Sequence, residues 1–246
     1  MVYDATFAET VTITGHGGDR IEAYAARPLD PAPRGGIVVI HHMPGYDRET
    51  KEYVRRFAVE GYNAICPNLY WREAPGAAPD DAAATVRAQG GAPDDRVVGD
   101  IAGAMEYLKG LSNSNRKVAT IGHCSGGRQS WLAGGSLDLD AVICCYPGAV
   151  VGEVPAGLPF TPIGHLAATM SGPLLGLFGN DDKFPTPEQV DELDKLLTEA
   201  GKPHEFHRYD GAGHAFFGPD RPAYRVEAAL DGWQRIFTFL GTHLAG

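Results

Sequence analysis

KVATIGHCSGGRQSWLAGG, residues 117–135, decides the fold. Its first half, KVATI, is apolar and β-branched and reads as a buried strand, and RQSWLA reads as a helix. Between them GHCSGG makes a sharp strand-to-helix turn. A reactive side chain at the apex of such a turn needs tiny residues two before and two after it, because the strand and helix backbones crowd there. Centred on Cys124 the flanks are Gly122 and Gly126, and the frame is complete. Centred on Ser125 they are His123 and Gly127, and the histidine would clash. Cys124 is therefore the candidate nucleophile. The partial positive charge of the helix N-terminus favours a thiolate there. The backbone N–H of Ser125 is placed to donate to an oxyanion developing on a substrate carbonyl.

Such an elbow needs an acid and then a histidine later in the chain. LLGLFGNDDKF ends an apolar strand at Asp181 and Asp182, and GAGHAFF places His214 in a small-residue loop after the next strand. The histidine would take the thiol proton and return it to the leaving group, while an aspartate orients the ring.

The rest of the chain reads as alternating strands and helices, an α/β fold with a mostly parallel central sheet and helices on both faces. TVTITG and RIEAYAARP form an opening antiparallel pair, and GGIVVIHHM is the first buried strand. DRETKEYVRRFAVEG is an amphipathic helix closed by Gly61. TPEQVDELDKLLTEAG starts on a Thr186 cap with Pro187 in its first turn, and the last helix runs from near Pro222 to about His243. Two segments, residues 71–95 and 149–172, are rich in Gly, Pro and Ala and read as long loops of the lid or binding type. No linker divides residues 1–246, which read as a single domain.

The chain has a net charge of −10, which argues against nucleic acid or an anionic membrane as partner. No apolar run is long enough to span a bilayer, and MVYDATFAETVTIT has no leader pattern. Cys66, Cys124, Cys144 and Cys145 do not form a disulfide framework, and the adjacent pair in AVICCY reads as buried strand thiols. These readings give a cytoplasmic protein, a monomer or homodimer, without metal or cofactor. A metal site built from His41, His42, His123 and His214 is disfavoured because neighbouring strand residues point to opposite faces. A binding protein on a hydrolase scaffold is the non-enzymatic alternative.

With GHCSGG, FGNDD and GAGHAF in hand, the chain from about GGIVVI to the last helix resembles the dienelactone hydrolase family, the cysteine branch of the α/β-hydrolase fold. The resemblance implies a cysteine-dependent hydrolase of a small lactone or activated ester, acting through an acyl-enzyme. It assigns the acid to Asp182, a second oxyanion donor to the backbone of Met43, and a substrate-carboxylate contact to Arg72 in LYWREAPG. Tyr146 and Phe217 would line the pocket. There are two departures. His42 stands where the family carries a glutamate, and is expected at the substrate or paired with a thiolate. Gly218 stands where a second arginine is typical, which puts a two-arginine carboxylate clamp, and dienelactone itself, in question. A different ester, or a thioester, is the alternative substrate.

Overall fold

The computed structural model describes residues 5–245. Residues 1–4, part of the stretch read as lacking a leader, lie outside them. Strands β1 (Thr6–Thr14), β2 (Arg20–Pro28) and β3 (Arg34–Ile40) precede helix α1 (Arg48–Val59), strand β4 (Asn63–Pro67), helices α2 (Pro79–Ala88) and α3 (Asp94–Lys109) and strand β5 (Ser114–His123). Then come α4 (Ser125–Ser136), β6 (Ala141–Cys145), β7 (Leu174–Gly179), α5 (Pro187–Glu199), β8 (His204–Tyr209) and α6 (Val226–His243). The strands form a mixed, mostly parallel sheet in the order β1-β2-β4-β3-β5-β6-β7-β8. The described residues divide into two compact units, one running to Thr120 and taking in Leu244, the other residues 121–243.

In the first unit β1 and β2 pair antiparallel, from Thr6 opposite Pro28 to Thr14 opposite Arg20. β2 pairs antiparallel with β4, and β4 parallel with β3. Asp47 caps α1 by accepting the Thr50 N–H at 2.9 Å. Tyr53, Val54, Phe57 and Ala58 then recur on one face of α1 and are buried. The turn joining β1 to β2 lies against two glycines of α3. A Cβ on Gly103 would stand 2.0 Å from the Thr14 carbonyl oxygen, and one on Gly99 would meet His16 at 2.6 Å.

Residues 71–95 are not all loop, because they contain α2. The Ala-rich run PDDAAATVRA has strong helix propensity, Pro79 in its first turn and Asp80 and Asp81 at its positive end. Pro and Gly on both sides mask that signal in the sequence.

In the second unit β6, β7 and β8 pair in parallel. β6 and β7 are wholly buried, as their unbroken apolar runs require. Cys144 and Cys145 are fully buried free thiols, and burial pushes Cys144 up to about 12. Thr186 and Gln189 form a reciprocal capping box on α5. The segment 149–172 carries only a short 3-10 turn at Gly164–Thr169. The last helix begins at Val226, four residues later than Pro222 suggested.

Candidate active site

β5 delivers Cys124 to the first turn of α4, where its backbone takes φ 56° and ψ −122°. A non-glycine residue stays in such a conformation, at a cost of about 1–3 kcal/mol, only when its surroundings enforce it. Here the Cys124 N–H donates to the Cys145 carbonyl at 3.0 Å, and its own carbonyl accepts from Arg128 at 3.2 Å. The glycines make the turn possible. A Cβ on Gly122 would lie 1.9 Å from the Gly126 carbonyl oxygen, and one on Gly127 would lie 2.8 Å from that of Cys145. Of the four cysteines, Cys124 alone is not buried. Ser125 is the first residue of α4, so its N–H belongs to the helical turn that has no intrahelical acceptor.

The acid and histidine loops are joined by another close approach. A Cβ on Gly179, at the end of β7, would stand 2.2 Å from the Ala212 carbonyl oxygen, and that oxygen accepts the Asp181 N–H at 2.9 Å. This places Asp182, 3% exposed, with Oδ2 2.9 Å from His214 Nδ1 and Oδ1 accepting the Phe184 N–H at 2.9 Å. Asp181 is exposed. A carboxylate can only accept, so His214 Nδ1 carries the proton and Nε2 is left for the Cys124 thiol, to which the ring also hydrogen-bonds. Burial pulls the imidazole down, but the bonds to Asp182 and Cys124 outweigh it and raise His214 to about 10. Cys124, His214 and Asp182 thus come together in the second unit.

Tyr146 stands edge-on to His214, with ring centroids 5.1 Å apart, on a backbone with φ 39°. Phe217 departs from the expectation. It is 1% exposed and packs between His123 and Trp233, against Gly232, as a core residue rather than a pocket wall.

The first-unit candidates are occupied locally. His42 Nε2 lies 3.1 Å from Asp47 Oδ2. His41, which the sequence offered only as a weak metal candidate, fixes this loop. The Leu69 N–H donates to its Nε2 at 3.1 Å, so Nδ1 bears the proton and donates to the His42 carbonyl at 3.0 Å. Burial lowers His41 to about 4, which keeps it neutral. Met43 follows in the same loop.

Arg72 is a correction. Its guanidinium makes a two-pronged contact with Asp100 at 2.8 and 2.9 Å, bonds Asp19 at 2.7 Å, and reaches the His16 carbonyl at 3.4 Å. Asp100 is 1% exposed. The residue expected to grip a substrate carboxylate already grips a buried protein one. Nothing in the local pattern announced Asp100 or Asp19 as partners.

Among the described residues, His42, Asp47 and Glu49 offer ligand atoms within 4.8 Å of one another. Thr50 and Tyr53 already donate to the two carboxylates. No described helix is long and apolar enough to cross a membrane.

Residues 21–244 match the family model of the dienelactone hydrolase family. The chain belongs to the dienelactone hydrolase family. It is a hydrolase acting on ester bonds with the α/β-hydrolase fold. It is 33% identical over 225 residues to a "Putative carboxymethylenebutenolidase" of Methylorubrum extorquens, covering 88% of this chain and 75% of that one. To the protein of the same description in Escherichia coli it is 32% identical, covering 95% and 86%. Among solved structures, a dienelactone hydrolase homologue from Klebsiella pneumoniae superposes with a TM-score of 0.86 at 27% identity, covering 97% of this chain and 99% of that one. The dienelactone hydrolase-like promiscuous phosphotriesterase P91, from metagenomic libraries, shares the fold with a TM-score of 0.79 at 19% identity, covering 98% and 100%.

Proposed function

We propose that this dienelactone hydrolase family member cleaves a small lactone or activated ester through a thioester acyl-enzyme on Cys124. The observation that carries the reading is the Cys124–His214–Asp182 relay at a strained glycine-framed turn. In this mechanism His214 Nε2 already holds the Cys124 proton, as its raised pKa requires, and the thiolate sulfur attacks the substrate carbonyl. The Ser125 N–H stabilises the oxyanion. Collapse breaks the C–O bond, and His214 protonates the departing oxygen. Water, deprotonated by the same nitrogen, then attacks the thioester, releasing the acid and the Cys124 thiolate beside the protonated ring. Asp182 keeps the imidazole in the required tautomer and supports its positive charge. Tyr146 packs against that ring.

The occupied Arg72, together with Gly218, favours a neutral lactone or aryl ester over a carboxylated dienelactone. The family match runs through both compact units, which supports reading the chain as one hydrolase domain. Four free cysteines fit a reducing cytoplasm, with the protein a monomer or homodimer.

The test is hydrolysis of dienelactone, a neutral lactone and a neutral aryl ester by the wild type and Cys124→Ala. Neutral substrates turned over in preference, with all activity lost in the variant, is the expected result. Activity retained by Cys124→Ala would overturn the nucleophile, and preference for dienelactone would overturn the neutral substrate.

A further inference from the structure

Arg128 is among the largest fully buried side chains, 1% exposed, one helical turn after Cys124 on α4. A buried guanidinium is costly and needs a reason. Its NH2 donates to the Thr161 carbonyl at 2.8 Å, and its plane sits over the Phe160 ring, 4.9 Å from the centroid. Both contacts lie on one excursion of the chain. The Ile163 N–H donates to the Val150 carbonyl at 2.9 Å, so residues 151–162 leave and return at one point, as a compact surface loop does. Beyond the loop, the chain is fastened to the far end of α4 by inexpensive hydroxyl bonds. Ser171 Oγ donates to the Gly134 carbonyl at 3.1 Å and Thr169 Oγ1 to that of Gly135 at 2.7 Å.

The loop itself is tied to α4 through the charged group of Arg128. The loop leaves the sheet on the nucleophile's side, since it follows β6, whose last residue Cys145 accepts the Cys124 N–H at 3.0 Å, and Tyr146, whose ring stands against His214. Val154, Leu158, Pro159 and Phe160 on the loop are half-buried and apolar.

We propose that Arg128 is a positioning residue that holds loop 151–162 as a specificity wall for apolar acyl groups. The inference rests on Cys124 being the nucleophile. It names the substrate class as esters with an extended hydrocarbon acyl chain.

The experiment compares kcat/KM for p-nitrophenyl acetate and p-nitrophenyl octanoate in the wild type, Arg128→Met, Arg128→Lys and Phe160→Ala, with Tm measured for each. In Arg128→Met the octanoate-to-acetate ratio falls about tenfold, through KM for octanoate, as loss of several apolar pocket contacts implies. Arg128→Lys recovers part of the ratio. A ratio constant within about twofold beside a lowered Tm would make Arg128 merely structural and overturn the proposal. If Arg128→Met does not fold, Phe160→Ala decides, since it removes the stacked ring and is expected to shift the ratio the same way. No shift there also overturns it. Failure of the nucleophile reading would appear separately, as turnover by Cys124→Ala.

Discussion

Asp182→Asn isolates the electrostatic part of the relay. The asparagine is isosteric, so its side-chain oxygen can still accept the Phe184 N–H and the loop has no steric reason to move. Toward His214 it must then present NH2 where the carboxylate oxygen stood, 2.9 Å from Nδ1. Loss of a charge-assisted bond to a buried partner removes about 1.5–3 kcal/mol, or about one to two orders of magnitude in rate. A second effect adds to it. A donor facing Nδ1 drives the ring proton to Nε2, the nitrogen that must receive the thiol proton, and a wrong tautomer in such a relay costs up to about four orders of magnitude in kcat. The expected fall in kcat/KM on an aryl ester is therefore about 10²–10⁴-fold, carried by kcat. Asp181→Asn, one residue away and exposed, is the control and should change the rate less than about threefold. Continuous release of p-nitrophenol reads both variants. A loss below tenfold in Asp182→Asn, or equal losses in the two, would refute the assignment.

Arg72→Met leaves Asp100 buried without its cation and should cost about 3–5 kcal/mol, lowering Tm by about 10 °C, while KM for carboxylated and neutral esters moves equally. An unchanged Tm with a selective KM effect would restore the substrate-anchor reading. His41 gives the fold an acid-sensitive point. Its unfolded form takes up a proton near 6.5 but the folded form only near 4, so stability is lost as pH falls through that window, by at most about 3 kcal/mol. His41→Gln keeps one donor and one acceptor and should flatten the pH 6.5 to 4.5 slope in urea unfolding. An unaltered slope would contradict it.

What the sequence makes legible is mostly local. The glycine frame around Cys124 is legible because its steric rule spans only five residues, and a Cβ on Gly122 would indeed meet the Gly126 carbonyl oxygen at 1.9 Å. Strand and helix order follow from apolar periodicity. The choice between Asp181 and Asp182 is not local, since it depends on how Gly179 lets the Ala212 carbonyl approach. Arg72 shows the same limit. Its carboxylate partners come from a turn 53 residues away and a helix 28 residues away, and a motif match sees neither. Phe217 and Tyr146 are both aromatic beside catalytic candidates in the sequence and both are buried, and only the packing of their rings separates Phe217, against His123 and Trp233, from Tyr146, against His214. Arg128 follows the elbow in plain sight, but nothing in the sequence marks it as buried or tied to Thr161.

The most direct test of the account is to quench wild-type enzyme in acid during turnover of a slowly deacylating aryl ester and locate the adduct by mass spectrometry. The acyl group is predicted on Cys124 within the tryptic peptide Val118–Arg128, and absent from Cys124→Ala. An acyl group on Ser125, or full turnover by Cys124→Ala, would contradict the thioester mechanism.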